Sequence, residues 1–200
     1  MRIAVVRNPI AGGRAGQKQW APLLAAFSNR FPDLEIHESR SSGDARRLAR
    51  ELAAGPYDLL VVAGGDGTIS DVVDGVLMST NPDMPLAFLP TGTGCDFIRN
   101  FNLPSDPAAL AEHIAQAPLR KIDAGLLISR DAEGNEQRRH FANITSVGIS
   151  GEIVEAVNAL RAANDYLFTT GGIGPTHDDI TVDAVAEALG VDVVIHPTAR

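Results

Sequence analysis

Asp-Leu-Leu-Val-Val-Ala-Gly-Gly-Asp-Gly-Thr, residues 58–68, runs from an apolar stretch without alternation directly into a cluster of glycines. Unbroken apolar character over Asp58 to Ala63 predicts a strand covered on both faces, as in a parallel sheet. Beyond it Ile69, Val72, Val73, Val76 and Leu77 recur at helical spacing, so the glycines occupy a strand-to-helix turn. Such a turn presents backbone N–H groups and a helix N-terminus, both of which favour an anion. Gly64, Gly65 and Gly67 permit close approach of a ligand to the backbone. Asp66 in the middle of this turn repels a phosphate unless a cation lies between them, and Mg²⁺, which takes carboxylate and phosphate oxygens together, resolves the conflict. Asp66 is then the metal or water-network residue and the catalytic candidate, with Thr68 a hydroxyl contact to phosphate. The plain alternative is a tight turn whose Asp is a helix cap, and the pentapeptide alone leaves both readings open.

On the N-terminal side, Arg2 to Arg7 reads as a buried strand ended by Asn8-Pro9 and the loop Ile10-Ala11-Gly12-Gly13. Trp20, Leu23, Leu24 and Phe27 place one buried helical face between Gln17 and Phe31. Leu34-Glu35-Ile36 is a second short strand. Ser42-Gly43-Asp44 caps a helix through Ala45, Leu48, Ala49 and Leu52 that Gly55-Pro56 stops. On the C-terminal side, Leu86 to Leu89 is a strand ended by Pro90 and followed by Thr91-Gly92-Thr93-Gly94. Strands alternating with helices over residues 1–118 predict an α/β unit with an open parallel sheet and helices on both faces. Its ligand belongs beyond the carboxyl ends of the strands, where all three glycine loops fall.

After Pro118 the pattern changes. Ile122 to Ile128 and His140 to Val147 predict an antiparallel hairpin across the polar turn Asp131 to Asn135, opening a β-rich unit over 119–160. Ile149 to Ala163 reads as a helix. Residues 161–200 then give a strand at 166–168, a glycine-rich loop at 169–179, a helix at 182–189 and a strand at 191–195.

Composition narrows the function. Seventeen basic against 25 acidic residues give a net charge of -8, without the broad positive field that nucleic-acid binding needs. The single cysteine, Cys95, forms no internal disulfide. No leader pattern and no apolar run near the roughly 20 residues that span a bilayer are present, so a cytoplasmic chain is expected, with at most transient contact with a membrane surface. His37, His113, His140 and His196 read as surface or edge residues rather than catalytic ones.

Four motifs taken together resemble one family. Asn8-Pro9-x-Ala11-Gly12, the segment from Ser39 to Ala45, Gly64-Gly65-Asp66-Gly67-Thr68 and the segment from Pro90 to Phe97 follow the order and approximate spacing of the diacylglycerol kinase catalytic domain, shared by bacterial lipid kinases and sphingosine kinases. Ile122-Asp123, Phe141-Ala142-Asn143 and Ser146-Val147-Gly148 resemble the opening of that family's second, β-rich domain, so the likeness extends over about residues 1 to 160. The resemblance implies ATP binding in a cleft between two domains and γ-phosphoryl transfer to a lipid hydroxyl, by positioning and charge neutralisation. It places Asn8, Pro9, Gly12, Ser39, Gly64, Gly65, Gly67, Thr68, Thr91, Gly92, Thr93 and Gly94 around the nucleotide and Asp66 at Mg²⁺. The chain departs from the family at Cys95, where Asn is usual, at Asp71, where Glu is usual, and at Thr91, where Leu is common. Asp71 can still face the cleft, and Arg99 serves equally as an ion-pair partner or a phosphate ligand.

Tyr166 to Thr181 instead resembles the molybdopterin-binding domain of molybdenum-cofactor biosynthesis and competence/damage-inducible proteins. Asp178 and Asp179 there bind a metal or cap a helix; His177 reads as a loop residue. The later acidic motif that usually supplies the lipid kinase's general base has no counterpart, and Asp131-Ala132-Glu133 comes too early in the chain. The expectation is therefore an ATP-dependent lipid kinase with a truncated second domain and impaired turnover. The alternatives are a nucleotide-binding module without turnover and a molybdopterin-binding protein.

Overall fold

The structure is a computed structural model that describes residues 1–93, 95–142, 149–163, 186 and 190, the side chains of 149–154 and 161 excepted. It divides into two compact units, Met1–Ile144 and Thr145–Arg200.

In the first unit, strands β1 (Ile3–Arg7), β2 (Glu35–Glu38), β3 (Leu59–Gly64) and β4 (Leu86–Pro90) form one parallel sheet in the order β2-β1-β3-β4. The unbroken apolar run of β3 is buried at every position. Alternate residues feed opposite cores because successive side chains leave opposite faces of a strand. Leu60 and Val62 join Ala4, Val6 and Phe88 against α2 (Asp44–Ala53) and α3 (Asp66–Leu77). Leu59, Val61 and Ala63 join Ile3, Val5 and Leu89 against α1 (Gly13–Arg30) and α5 (Pro107–Gln116). A short helix, α4 (Asp96–Arg99), follows the fourth strand. The chain is thus an α/β protein with helices on both faces of a parallel sheet.

Several boundaries differ from the sequence expectation. Helix α1 starts at Gly13 rather than Gln17, because its first turn of small and polar residues carries no apolar period. Strand β2 runs Glu35–Glu38, an edge strand too exposed for its apolar pattern to mark its ends. Ser42 does not cap α2. Gly43, at φ 76°, is the N-cap residue without a side-chain bond, and the Asp44 carboxylate accepts the Arg40 N–H at 2.9 Å instead.

The hairpin forms across the expected turn, where the Asp131 N–H donates to the Asn135 carbonyl at 3.0 Å. Its strands are β5 (Gly125–Arg130) and β6 (Glu136–Phe141), six paired positions that begin directly at the turn. The second strand therefore precedes the expected His140 to Val147, because Gln137, Arg138 and Arg139 pair while exposed. In the second unit, α6 spans Ile149–Ala163 as expected, with Val157 buried. The strands, glycine-rich loop and helix expected over 164–195 lie outside the described residues.

Candidate functional site

The three glycine loops meet at the carboxyl edge of the sheet, and the contacts are close enough to require glycine. A Cβ on Gly92 would stand 2.3 Å from the Gly65 Cα, which brings the fourth-strand loop onto the third-strand loop. A Cβ on Gly12 would stand 2.3 Å from the Thr91 carbonyl oxygen, and one on Gly16 would stand 2.5 Å from the same atom, which seats the first loop on the fourth. Gly12 is also left-handed, at φ 65°.

Polar side chains tie the same loops. Asn8 closes its own turn by accepting the Ile10 N–H at 3.1 Å, and its amide donates to the Thr68 hydroxyl at 3.3 Å. Thr68 is buried under Gly64, whose Cβ would meet the Thr68 side chain at 2.5 Å. Asp66 begins α3, with extended Gly65 as the N-cap residue. Its two carboxylate oxygens accept backbone N–H groups of α4: Asp96 N at 3.1 Å and Phe97 N at 3.0 Å. Cys95 precedes α4 in a left-handed conformation, at φ 54°, with its thiol 3.8 Å from the Gly64 carbonyl. Burial pushes that thiol's pKa up, the opposite of a reactive cysteine.

Pro9 is half-buried on the first loop and Thr93 is exposed on the last. Gly67 faces open space, with nothing within 4 Å of where a Cβ would be. Thr91 is buried, and its hydroxyl has no hydrogen-bond partner among the described residues. Ser39 lies further along the same edge, at the end of β2, where its N–H donates to the Arg7 carbonyl at 2.8 Å. Gly94 lies outside the described residues. Arg99 forms an ion pair with Asp96, and Asp71 receives Arg139 of the hairpin.

A second cluster escaped the sequence reading. Asp74, on the same helix as Asp66, is fully buried. Its Oδ1 accepts the His140 N–H at 2.8 Å and lies 2.9 Å from the His140 Nδ1, a bond in the tautomer with the proton on Nδ1. Arg46 of α2 brings its Nε to 2.6 Å from Oδ2, an ion pair by distance whose N–H is not aligned for a hydrogen bond. The available signal was an acid inside the apolar stripe Val72, Val73, Val76, since a buried carboxylate needs partners. His140 is correspondingly half-buried rather than a free surface residue.

The edge offers an anion the N-terminus of a 12-residue helix and open backbone at Gly67, donors that fit a nucleotide phosphate chain. A protein-held Mg²⁺ fits less well. Both Asp66 oxygens already accept backbone N–H groups of α4, which fixes the direction of the carboxylate.

Glycine loops converging on the carboxyl edge of a parallel sheet with helices on both faces place this chain among open α/β proteins, whose ligands bind at that edge. The chain belongs to the diacylglycerol kinase catalytic domain family, whose sequence model matches residues 2–127. A second model, described as "Probable molybdopterin binding domain", matches residues 149–200. A diacylglycerol kinase of Bacillus subtilis (strain 168) is 34% identical over 125 residues, 62% of this chain and 41% of that protein. One of Mycobacterium tuberculosis (strain ATCC 25618 / H37Rv) is 29% identical over 161 residues, 80% of this chain and 50% of that protein. The crystal structure of a diacylglycerol kinase from Bacillus anthracis str. Sterne matches with a TM-score of 0.53 at 26% identity, covering 78% of this chain and 54% of that one. The chain thus spans about half the length or less of these relatives. No helix among the described residues is long and apolar enough to cross a membrane.

Proposed function

We propose that the first unit binds ATP at the loop edge and that the chain serves a lipid kinase reaction, in which a lipid hydroxyl oxygen attacks the γ-phosphorus. The bond from the γ-phosphorus to the β–γ bridging oxygen breaks, ADP leaves, and the hydroxyl proton passes to a base. The observation that carries this reading is the interlock of Gly12, Thr91, Gly92 and Gly65, which brings three loops together at one edge of the sheet. There Asn8, Pro9, Gly12, Gly64, Gly65 and Gly67 would supply close backbone, and Thr68, Thr91, Gly92 and Thr93 would surround the phosphates, with Gly94 assigned to the same role from the motif alone. Ser39 borders the same edge, toward the nucleoside end. A divalent ion arriving with the triphosphate would neutralise charge on the transferring group. The lipid acceptor calls for contact with a membrane surface rather than insertion.

A second reading is a nucleotide-binding module without turnover, for which the interlocked loops alone suffice. Asp131 is tied into its hairpin turn, where the Asn135 backbone N–H and the Gln137 side chain hold its carboxyl below the usual range. Calorimetry with ATP, followed by a radiolabelled phosphorylation assay on diacylglycerol vesicles, separates the readings. Binding with lipid phosphorylation supports the kinase, binding alone supports the module, and no binding removes both. The match over 149–200 adds a pterin-binding reading for the second unit, tested by titrating molybdopterin and following its absorbance.

A further inference from the structure

Asp66 joins two segments that the sequence separates by thirty residues, and how it joins them bears on its role. A helix start leaves backbone N–H groups without intrahelical partners, and α4 has no cap from its own N-cap residue, since the Cys95 side chain reaches the Gly64 carbonyl instead. Asp66 supplies the missing acceptors from outside, one oxygen to Asp96 N and the other to Phe97 N. The far side of α4 is fixed as well: the Phe97 ring packs edge-on against Phe88 of the fourth strand, with centroids 5.3 Å apart, and against Phe101 at 5.2 Å. Pro90 to Cys95 is thereby held at both ends, with Gly92 pressed on Gly65 between them.

We propose that Asp66 is a positioning residue that clamps the Pro90–Phe97 loop onto the start of α3, and not the residue that holds Mg²⁺. A carboxylate serving a small, strictly octahedral cation must aim an oxygen lone pair at it at about 2.0–2.1 Å. Here each oxygen faces a backbone donor, so the carboxylate is aimed at the start of α4. The metal then travels with the triphosphate, and Asp66 acts on the nucleotide only through the loop it holds. That consequence rests on the nucleotide reading; the clamp itself does not.

The test compares the whole chain with Asp66→Asn and Asp66→Glu. In nucleotide-free protein with EDTA, amide exchange at residues 96 and 97 accelerates about tenfold or more in both variants, while the β1 and β3 amides keep their protection and report an intact fold. Unchanged exchange at 96 and 97 in Asp66→Asn overturns the clamp, whether or not any variant binds nucleotide. ATP titrations are then run in Mg²⁺ and in EDTA. The clamp predicts that Asp66→Asn weakens ATP by the same factor in both buffers and that Asp66→Glu, which keeps a carboxylate but misplaces it, does not rescue. A loss confined to Mg²⁺, or rescue by Glu, overturns the proposal in favour of metal ligation. Wild-type protein that binds no ATP in either buffer removes the nucleotide reading and leaves the exchange result to decide the clamp.

Discussion

Gly92→Ala tests the loop interlock most directly. The added Cβ would lie 2.3 Å from the Gly65 Cα and 2.7 Å from its nitrogen, against an ordinary contact of at least 3.4 Å, so the two loops must part by about 1.1 Å (3.4 − 2.3). Both clashing atoms are backbone, and no rotamer relieves them. Overpacking of this kind costs about 1–3 kcal/mol. The Gly92 backbone is not left-handed, so alanine brings no φ penalty, and its smaller unfolded-state entropy returns about 0.4–1 kcal/mol. The net loss is about 1–2 kcal/mol, which lowers Tm by about 2–8 °C for a chain of this size. Thermal unfolding followed by circular dichroism measures it, with ATP calorimetry alongside to show weakened binding. Gly67→Ala is the control: with open space around it and a helical position, it leaves Tm unchanged or raises it. A Gly92→Ala protein that melts within a degree of wild type and binds ATP equally well would sink the interlock.

Asp74→Ala, which removes a buried acceptor shared by α2 and β6, lowers stability by about 2–4 kcal/mol in denaturant titrations, the cost moderated by water at the partly exposed Arg46. Amide exchange in the same variant speeds at residues 136–141, and unchanged protection there counts against the tie. Gly75→Ala, whose Cβ would meet the Arg46 carbonyl oxygen at 2.2 Å, forces α2 off α3 and lowers Tm by several degrees. Arg139→Ala removes an ion pair whose arginine is about half exposed, and changes the unfolding free energy from denaturant titration by less than about 1 kcal/mol. Cys95 titrates above the ordinary thiol value of about 8.5 because it is buried, so the unfolded chain loses its proton first and stability falls as pH rises through that value. Iodoacetamide at pH 8 labels it slowly in the native chain and quickly in urea; equal rates would contradict the burial.

The parts legible in the sequence were those in which local pattern and tertiary environment coincide. Residues 59–63 are apolar because both faces of β3 are covered, so the run declares a parallel strand and its glycines mark the carboxyl edge of the sheet. The order of the four motifs then indicated the family. Strand β6 was hidden because Glu136, Gln137, Arg138 and Arg139 pair through the backbone while their side chains meet water, leaving no apolar alternation to read. In the sequence Asp66 reads as a carboxylate among glycines, but its N–H partners lie thirty residues on, and no local rule reports a tertiary cap. The role of Asp74 is not legible in the sequence because a helical wheel shows where a residue points and not what waits there.

The bond from His140 to Asp74 also governs how the small antiparallel sheet can grow. A β-strand offers alternate amides to its two sides, and the His140 N–H, directed away from β5, is consumed by a helix carboxylate. A newcomer strand aligned on that flank of β6 would have to displace a charged acceptor before it could form its own ladder. The hairpin is therefore polar in its capacity for extension, blunted on the helix side, and further strands are directed to the outer flank of β5.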